Sequence, residues 1–343
     1  MIKTYRSNPI RRTLKKLVLG VGITLLGTQA SQADTLTIGY QGMMNPWKTV
    51  IADKMLEAET GIEIEWRRFD SGAKVITAMA SGDVDIATAG SSPIAAAISR
   101  GVDIELVWIL ENINEAEALV VRKGSGITAP QDLKGKTLGV PFVSTTHFHT
   151  LFALEQFGLS DQDVRVLNLQ PNAISAAWRR GDIDAAFIWD PVLSRIKADG
   201  DVLVSSGELS RWGKATFDGM VVSKEYAADN PEVVTTLVKL AAEADAQYRA
   251  QKESLTAESP MVQKIAKMTG GDAASVPAVL NLYQFPTLSE QTSCAWLGCG
   301  EEGGAAKALR FTSEFLKAQG KIPGLKERYS DYVNPSFAKQ ALN

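Results

Sequence analysis

From residue 35 onward the chain alternates strand-like and helix-like segments, and this order constrains the fold more than any other feature. Short β-branched and apolar runs are followed by segments with apolar residues at helical spacing. An alternation of this kind predicts an α/β architecture, with a mostly parallel sheet covered by helices on both faces. The predicted strands cover residues 35–39, 62–69, 84–89, 104–110, 137–141, 164–169 and 183–189, and the predicted helices cover 46–59, 71–80, 146–157, 173–179, 192–198 and 231–249.

A repeated turn indicates that the alternation is organised in two similar halves. Residues 79–87 (MASGDVDIA) parallel residues 178–186 (WRRGDIDAA), and in each a helix ends at glycine and Asp-x-Asp leads into a strand. Locally each turn is an ordinary helix C-cap. The repetition predicts two α/β lobes, and ligands of open α/β sheets bind at the carboxyl ends of the strands.

Residues 1–33 have the pattern of a secretory signal peptide. A basic stretch at 11–16 precedes an apolar core at 17–26, and small residues at 31–33 offer a cleavage site near Ala33. The pair Arg11-Arg12 leaves twin-arginine export open beside the general route. We therefore expect a protein that is exported to the periplasm.

Removal of this segment makes the chain more acidic. It carries six basic and no acidic residues, so the formal net charge changes from −3 to −9. An acidic surface argues against a nucleic-acid partner. It also means that an anionic ligand would depend on local hydrogen-bond donors rather than on the overall charge.

The sequence carries no pattern typical of catalysis or metal binding. Its two cysteines, Cys294 and Cys299, predict a short disulfide in an oxidising compartment; half of a metal site is the alternative, although no His or further Cys lies near. Its two histidines, His147 and His149, lack the i, i+4 spacing of a helical metal pair. No Gly-x-Ser-x-Gly nucleophile turn occurs. We therefore predict no catalytic residue, metal or cofactor.

Two hydroxyl-rich turns are the strongest functional signal. Gly90-Ser91-Ser92-Pro93 and Ser144-Thr145-Thr146-His147 each follow a strand-like run and precede an apolar, helix-like run. The free N–H groups of a helix N-terminus bind a small anion without lysine or arginine. Helix capping alone also explains both turns. Because a cap uses only some of the free N–H groups, the two interpretations are compatible, and the turns predict a receptor for a small oxyanion.

Further candidates lie at the predicted strand ends and between the halves. Trp189 is either a ligand wall or core packing. Asp218, and more weakly Glu117, is a carboxylate for a cationic ligand group or, for Asp218, a turn residue beside Gly219. His149 is expected to be structural or exposed. The residues predicted at strand ends are Gln41, Asp70, Ser71, Ser91, Ser92, Glu111, Asn112, Thr145, Thr146, His147, Trp189 and Asp190.

Several segments together resemble a known family. They are residues 69–73 (FDSGA), 90–93 (GSSP), 140–147 (VPFVSTTH), 168–171 (NLQP), 176–184 (AAWRRGDID) and 211–213 (RWG). They resemble the periplasmic taurine-binding proteins of ABC transporters, within the sulfonate-, nitrate- and bicarbonate-type solute-binding proteins. The resemblance implies a two-lobe type II binding-protein fold with two crossover strands. We accordingly expect one lobe of residues 34–122 plus 223–343 and another of residues 123–222.

The resemblance also implies a function and a role for each candidate residue. A monomer would capture taurine and deliver it to a membrane permease and its ATPase, without cofactor or catalysis. Other aliphatic sulfonates, a sensing receptor without transport, and a pyrimidine-precursor synthase-like enzyme of the same fold stay open. The implied contacts are Ser91, Ser92, Thr145, Thr146 and His147 for the sulfonate, Asp218, then Glu117 or Asp190, for the ammonium, Trp189 over the methylenes, and Gln41 at the edge.

Overall fold

The computed structural model describes residues 35–342, so the expected signal peptide lies outside the described residues. The described chain forms two sheets with helices packed on them. The strands are β1 (Leu36–Gln41), β2 (Ile64–Phe69), β3 (Ile86–Gly90), β4 (Ile104–Asn112), β5 (Glu117–Arg122), β6 (Thr137–Val140), β7 (Arg165–Asn168), β8 (Ala185–Trp189), β9 (Gly200–Ser205) and β10 (Phe217–Ser223).

The helices differ widely in length, and the longest follows the last strand. They are α1 (Lys48–Ala52), α2 (Met55–Thr60), α3 (Gly72–Ala80), α4 (Ser91–Ser99), α5 (Thr145–Gln156), α6 (Pro171–Arg180), α7 (Val192–Ile196), α8 (Ser206–Arg211), α9 (Lys224–Asp229), α10 (Pro231–Gln251), α11 (Pro260–Thr269), α12 (Val276–Leu280), α13 (Leu288–Thr292), α14 (Gly304–Ala318) and α15 (Ser336–Gln340). Short 3-10 turns occur at Asn114–Ala116, Pro130–Leu133, Lys252–Ser254, Ala273–Ser275, Gly300–Glu302 and Ser330–Tyr332.

The two sheets have the same plan. The first has the order β2-β1-β3-β10-β4 and the second the order β7-β6-β8-β5-β9. In each sheet four strands run in the same direction, and one crossover strand lies antiparallel between two of them: β10 between β3 and β4 in the first sheet, and β5 between β8 and β9 in the second. The α/β architecture with two crossover strands is therefore confirmed, and each sheet is mostly parallel with one antiparallel strand.

The expected lobe boundaries, at residues 122 and 223, stay a prediction. Strand pairing puts β5 in the second sheet and β10 in the first. Between them, the second sheet is built from a continuous stretch of chain that starts with β5 and ends with β9.

Both faces of the second sheet are buried, as expected for strands with continuous apolar runs. Alternate residues of a strand point to opposite faces. Leu119 and Val121 of β5 accordingly join one apolar cluster, whereas Ala118 and Val120 join the other. The sheet is thus fixed from both sides, and its strand ends are held rigidly at one edge.

The helix predicted at residues 46–59 is two helices, α1 and α2. Lys54 between them has a φ of 53°, in the left-handed region, which an α-helix of L-residues cannot continue through. The apolar positions of the predicted helix, such as Trp47, Val50 and Leu56, are nevertheless buried. The periodicity identified the buried face and missed the break.

Two further observations bear on the sequence predictions. Cys294 and Cys299 are joined by a disulfide between α13 and α14. Within residues 35–342, no helix is long and apolar enough to cross a membrane.

Candidate functional site

The strand ends of both sheets meet at a small cavity of about 10 Å³ between the lobes. Each crossover strand brings one carboxylate to it. Asp218 of β10 pairs with Gly90 in the first sheet, and Glu117 of β5 pairs with Trp189 in the second. The lining residues are Gln41, Met43, Gly72, Gly90, Pro93, Glu117, Ser144, Thr145, Trp189 and Asp218.

The two hydroxyl-rich turns touch each other across the lobes. A Cβ atom added to Gly90 would lie 2.7 Å from the Thr145 Cγ2 methyl and 3.3 Å from the Asp218 Oδ1 atom. The φ of Gly90 is −68°, so its backbone conformation is open to any residue. Glycine is therefore required here by the close approach of the other lobe, and the lobes are in a closed arrangement.

The first turn leaves its donors largely unused. Gly90 is the N-cap of α4 and no side chain caps the helix. Ser92 Oγ is buried and has no hydrogen-bond partner, while Ser91 Oγ accepts from the backbone N–H of Phe217 at 3.5 Å. The backbone N–H groups of Ser91 and Ser92 are thus without intrahelical acceptors at the cavity edge formed by Gly90 and Pro93, which itself has no N–H.

The second turn uses its hydroxyls inside the protein. Ser144 Oγ caps α5 by accepting from the His147 N–H at 3.0 Å and donates to the Pro141 carbonyl at 2.5 Å. Thr146 Oγ1 lies 2.7 Å from Ser144 Oγ, and Thr145 Oγ1 donates to Glu117 Oε1 at 2.6 Å. What α5 offers a ligand is its backbone N–H groups and its positive helix end, rather than three free hydroxyls.

Asp218 belongs to a buried chain of polar groups. It lies opposite Glu111 in the β10–β4 pair, and the two carboxyl groups hydrogen-bond. The Asn45 amide donates to both oxygens of Glu111 at 3.0 and 3.2 Å. Lys48 Nζ in turn donates to Asn45 Oδ1 at 3.1 Å. The chain therefore runs from the cavity to a buried cation.

Burial controls the charges of this chain. It raises the pKa of Asp218 to about 7, against the lowering effect of the hydrogen bond from Glu111 and of the Lys48 charge. It raises the pKa of Glu111 well above its usual range, and the charge of Asp218 adds to this. Burial also lowers the pKa of Lys48 to about 7. Two hydrogen-bonded carboxyl groups hold one proton between them, and because this hydrogen bond lowers the pKa of Asp218, Glu111 is the donor and carries the proton.

Glu117 has a different set of partners. Thr145 donates to its Oε1, and Ser206 Oγ lies 3.2 Å from its Oε2. Ser206 Oγ is also 2.7 Å from His149 Nδ1, and His149 Nε2 is 2.7 Å from the Lys214 carbonyl. Burial raises the pKa of Glu117 to about 8, and the charge of Asp218 acts in the same direction.

Several predicted residues lie near the cavity without lining it: Ser91, Ser92, Thr146, His147 and Asp190. His147 stacks on Phe142 with ring centroids 4.3 Å apart, and its Nδ1 accepts from the Val143 N–H at 3.3 Å. Burial lowers the pKa of His147 to about 4. Asp190 Oδ1 accepts from the Ser194 N–H at 3.0 Å, in the first turn of α7. These contacts give His147 and Asp190 local structural partners.

Three residues that the sequence analysis did not select are part of the site region. Asn45 and Lys48 connect to Glu111, and Met43 lines the cavity. The sequence does give a signal for Lys48, because a charged residue stands there among apolar ones, between Trp47 and Val50. In the structure Lys48 is fully buried. Asn45 carried no such signal, since its role depends on Glu111, which is 66 positions away.

A larger cavity of about 450 Å³ lies on the other side of Trp189, which lines both. Arg68 and Arg195 line it and hold neighbouring carbonyls of the α11 end, those of Thr269 at 2.8 Å and Gly270 at 3.2 Å. The Arg195 contact joins the two lobes. Asp70, predicted at a strand end, also lines this cavity and pairs with Lys74 at 2.7 Å. Among the described residues, no group of three or more His, Cys, Asp or Glu side chains is placed to hold a metal ion.

The fold and the interlobe cavity define a ligand-binding protein, and comparison with known sequences gives its family. Residues 34–267 match the substrate-binding domain of ABC-type glycine betaine transport systems, and the chain belongs to this family of ABC-transporter substrate-binding proteins. It is 40% identical over 309 residues to the taurine-binding periplasmic protein of Escherichia coli, which covers 90% of this chain and 94% of that protein. A putative aliphatic sulfonates-binding protein of Escherichia coli is 29% identical over 284 residues, which is 80% of this chain and 85% of that protein.

A solved structure agrees on the fold. The alkanesulfonate-binding protein of Xanthomonas axonopodis pv. citri, bound to MOPS, superposes with a TM-score of 0.70 at 24% identity. The match covers 84% of this chain and 94% of that one. The two-lobe fold of a periplasmic binding protein is therefore confirmed. The solute-binding role in an ABC transport system follows from the family match and the 40% identical relative.

Proposed function

We propose that the protein captures taurine in the cavity between its lobes and delivers it to a membrane permease and ATPase. Taurine is a zwitterion with a sulfonate at one end and an ammonium at the other. The observation that carries the proposal is the juxtaposition of Asp218 and the N-terminus of α4 at Gly90, a buried carboxylate beside a positive helix end. These two features suit the opposite ends of one small zwitterion.

The sulfonate would bind between the N-termini of α4 and α5. Both helices begin at the cavity, one from each lobe, and backbone N–H groups with positive helix ends favour a diffuse anion. The hydroxyl of Ser92 has no hydrogen-bond partner and lies in the first turn of α4. A small movement of this side chain would let it donate to the sulfonate. Neutral donors of this kind suit an acidic protein, whose overall charge does not attract anions.

The ammonium would pair with Asp218. This carboxylate lines the cavity, is 6% exposed and accepts the hydrogen bond from Glu111 behind it, so it is the charged member of the pair. Trp189, 7% exposed, would cover the methylene groups. Charge-assisted hydrogen bonds in such a dry site contribute about 1.5–3 kcal/mol each.

Binding would require the lobes to move. A cavity of about 10 Å³ holds no more than about one water molecule. Taurine would therefore enter an open form of the protein, and the lobes would then close on it. We propose that the closed, loaded form is recognised by the permease, and that the protein works in the periplasm as a monomer without catalysis.

The test is isothermal titration calorimetry on mature chain beginning at Asp34, in one buffer near neutral pH. Taurine, ethanesulfonate, a longer alkanesulfonate, nitrate and sulfate are compared at equal concentrations. We expect taurine to bind at micromolar concentration or tighter, and ethanesulfonate, which has no ammonium, to bind much more weakly. Absence of heat with taurine, together with heat from a longer alkanesulfonate, would reject the proposal.

A second candidate is a receptor for larger aliphatic sulfonates. The cavity of about 450 Å³ beyond Trp189 favours it, because a ligand tail has room there once the indole moves. The related aliphatic sulfonates-binding protein points in the same direction. The same calorimetric panel separates this candidate from taurine.

A further inference from the structure

Glu117 and Asp218 face the same cavity, but the hydrogen-bond donors and acceptors around Glu117 show that the two carboxyl groups differ in charge. The chain of hydrogen bonds behind Glu117 ends at the Lys214 carbonyl, which can only accept a hydrogen bond. His149 Nε2, 2.7 Å away, must therefore carry a hydrogen. If the ring is neutral, its Nδ1 is bare and can only accept.

The Ser206 hydroxyl lies between His149 and Glu117 and has one hydrogen to donate. Ser206 Oγ lies 2.7 Å from His149 Nδ1, so the single hydroxyl hydrogen of Ser206 points to the ring. Toward Glu117, Ser206 Oγ can then only accept. A charged Glu117 would accept the Ser206 hydrogen at Oε2 across this 3.2 Å contact, but that hydrogen already points to His149, so Oε2 carries the hydrogen of the contact. Oε1 accepts from Thr145 at 2.6 Å. A hydrogen on Oε2 makes Glu117 an uncharged acid.

The opposite assignment places an imidazolium at His149 and a carboxylate at Glu117. His149 is completely buried, and its ring lies 5.3 Å from that of Phe148 and 6.1 Å from that of Phe187. An apolar environment of this kind disfavours an imidazolium, and burial lowers the pKa of His149 to about 4. The proton thus belongs to Glu117.

The other titratable groups near Glu117 act in the same direction. Asp218 faces it from β10, and its negative charge opposes a second carboxylate. Tyr283, whose pKa burial raises well above its usual range, lies within electrostatic range of Glu111, Glu117, Asp190 and Asp218. Among the described residues, the hydrogen-bonding partners of Glu117 are two hydroxyls, those of Thr145 and Ser206.

We propose that Glu117 is an uncharged positioning residue that fixes Thr145 to the Ser206–His149 pair, so that Asp218 alone supplies the negative charge for a bound cation. The proposal rests on the proposed function only for the identity of the cation. It assigns His149 and Ser206, which do not line the cavity, a role in setting the charge of the site. It also predicts that the site accepts one ammonium group and disfavours a dication.

The first test replaces Glu117 by glutamine, which has the shape and hydrogen-bonding capacity of the neutral acid. Its amide can donate to Ser206 and its oxygen can accept from Thr145. We expect Glu117→Gln to bind taurine within about threefold of the unmodified protein near neutral pH. A loss of about a hundredfold, as expected for removing a buried charge partner, would overturn the proposal.

The second test needs no ligand, so it also works if taurine is not the ligand. A neutral Glu117 holds a proton in the folded protein from about pH 4.5 to about pH 8, whereas the unfolded chain has lost it. This carboxyl group therefore makes folding less favourable as the pH rises through that range, and Glu117→Gln removes the effect. We expect the melting temperature of Glu117→Gln, relative to the unmodified protein, to rise from about pH 5 to about pH 8.

The exposed Glu63 provides the control, as Glu63→Gln, for replacing a carboxylate on the surface. A difference between Glu117→Gln and the unmodified protein that stays constant with pH, like that of the control, would contradict a neutral Glu117. Failure of the unmodified protein to bind taurine would instead reject the proposed function and leave the melting result to decide the charge of Glu117.

Discussion

The two crossover strands deliver one carboxylate each to the cavity, and they give these carboxylates opposite surroundings. Behind Asp218, the polar chain through Glu111 and Asn45 ends at the ammonium of Lys48. Behind Glu117, the chain through Ser206 and His149 ends at a backbone carbonyl. Equivalent positions in two similar lobes therefore hold different charges, because the groups that complete each chain differ. One lobe supplies an anion and the other a neutral hydrogen-bonding group.

The largest expected effect comes from removing the charge of Asp218. In Asp218→Asn the shape is kept, but a bound ammonium would lose its only anionic partner in a dry site. We expect calorimetry to show that taurine affinity falls by about a hundredfold or more, whereas ethanesulfonate affinity changes by less than about tenfold. Equal losses for the two ligands would show that Asp218 does not pair with the ammonium, and the contrast with Glu117 would disappear.

The pH dependence of binding should follow Asp218. Burial raises its pKa to about 7, so below that pH the carboxyl group is largely protonated before a ligand binds. Because only the carboxylate pairs with an ammonium, taurine affinity should fall toward tenfold per pH unit below about pH 7. Titrations from about pH 5 to about pH 8 measure this, and Asp218→Asn should have a much flatter profile. A profile that rises toward acid pH would contradict the assignment.

Closure of the lobes can be tested at Gly90. A methyl group there would lie 2.7 Å from the Thr145 methyl of the other lobe, so Gly90→Ala should hold the lobes apart. We expect about a tenfold loss of taurine affinity, in line with ordinary overpacking. The control is Gly324→Ala, since a Cβ atom at Gly324 meets no atom within 4 Å. Unchanged affinity in Gly90→Ala would mean that these turns are further apart in the ligand-bound protein.

The sequence made the position of the site predictable, because strand ends, hydroxyl-rich turns and the acids Glu117 and Asp218 are local features. Their hydrogen-bond partners were not predictable. The sequence predicts a Thr145 hydroxyl that is available to a ligand, yet this hydroxyl donates to Glu117, which lies 28 positions away. His147, the last residue of the second turn, stacks on Phe142 and does not line the cavity. The pairing of Thr145 with Glu117 depends on how the strands are ordered in the sheets, which local sequence patterns do not encode.

The smallest expected effect concerns Trp189, which separates the cavity of about 10 Å³ from the cavity of about 450 Å³. The smaller ring of Trp189→Phe should open a passage between them and remove part of the apolar cover of a bound ligand. The lost contact equals about one methylene group, so taurine affinity should fall by about threefold. Larger sulfonates such as MOPS should bind more tightly to Trp189→Phe in the same calorimetric series, because their tails could enter the larger cavity. If taurine and MOPS changed by the same factor, Trp189 would act as core packing rather than as the wall that sets ligand size, and the selectivity of the site would rest on the two carboxyl groups alone.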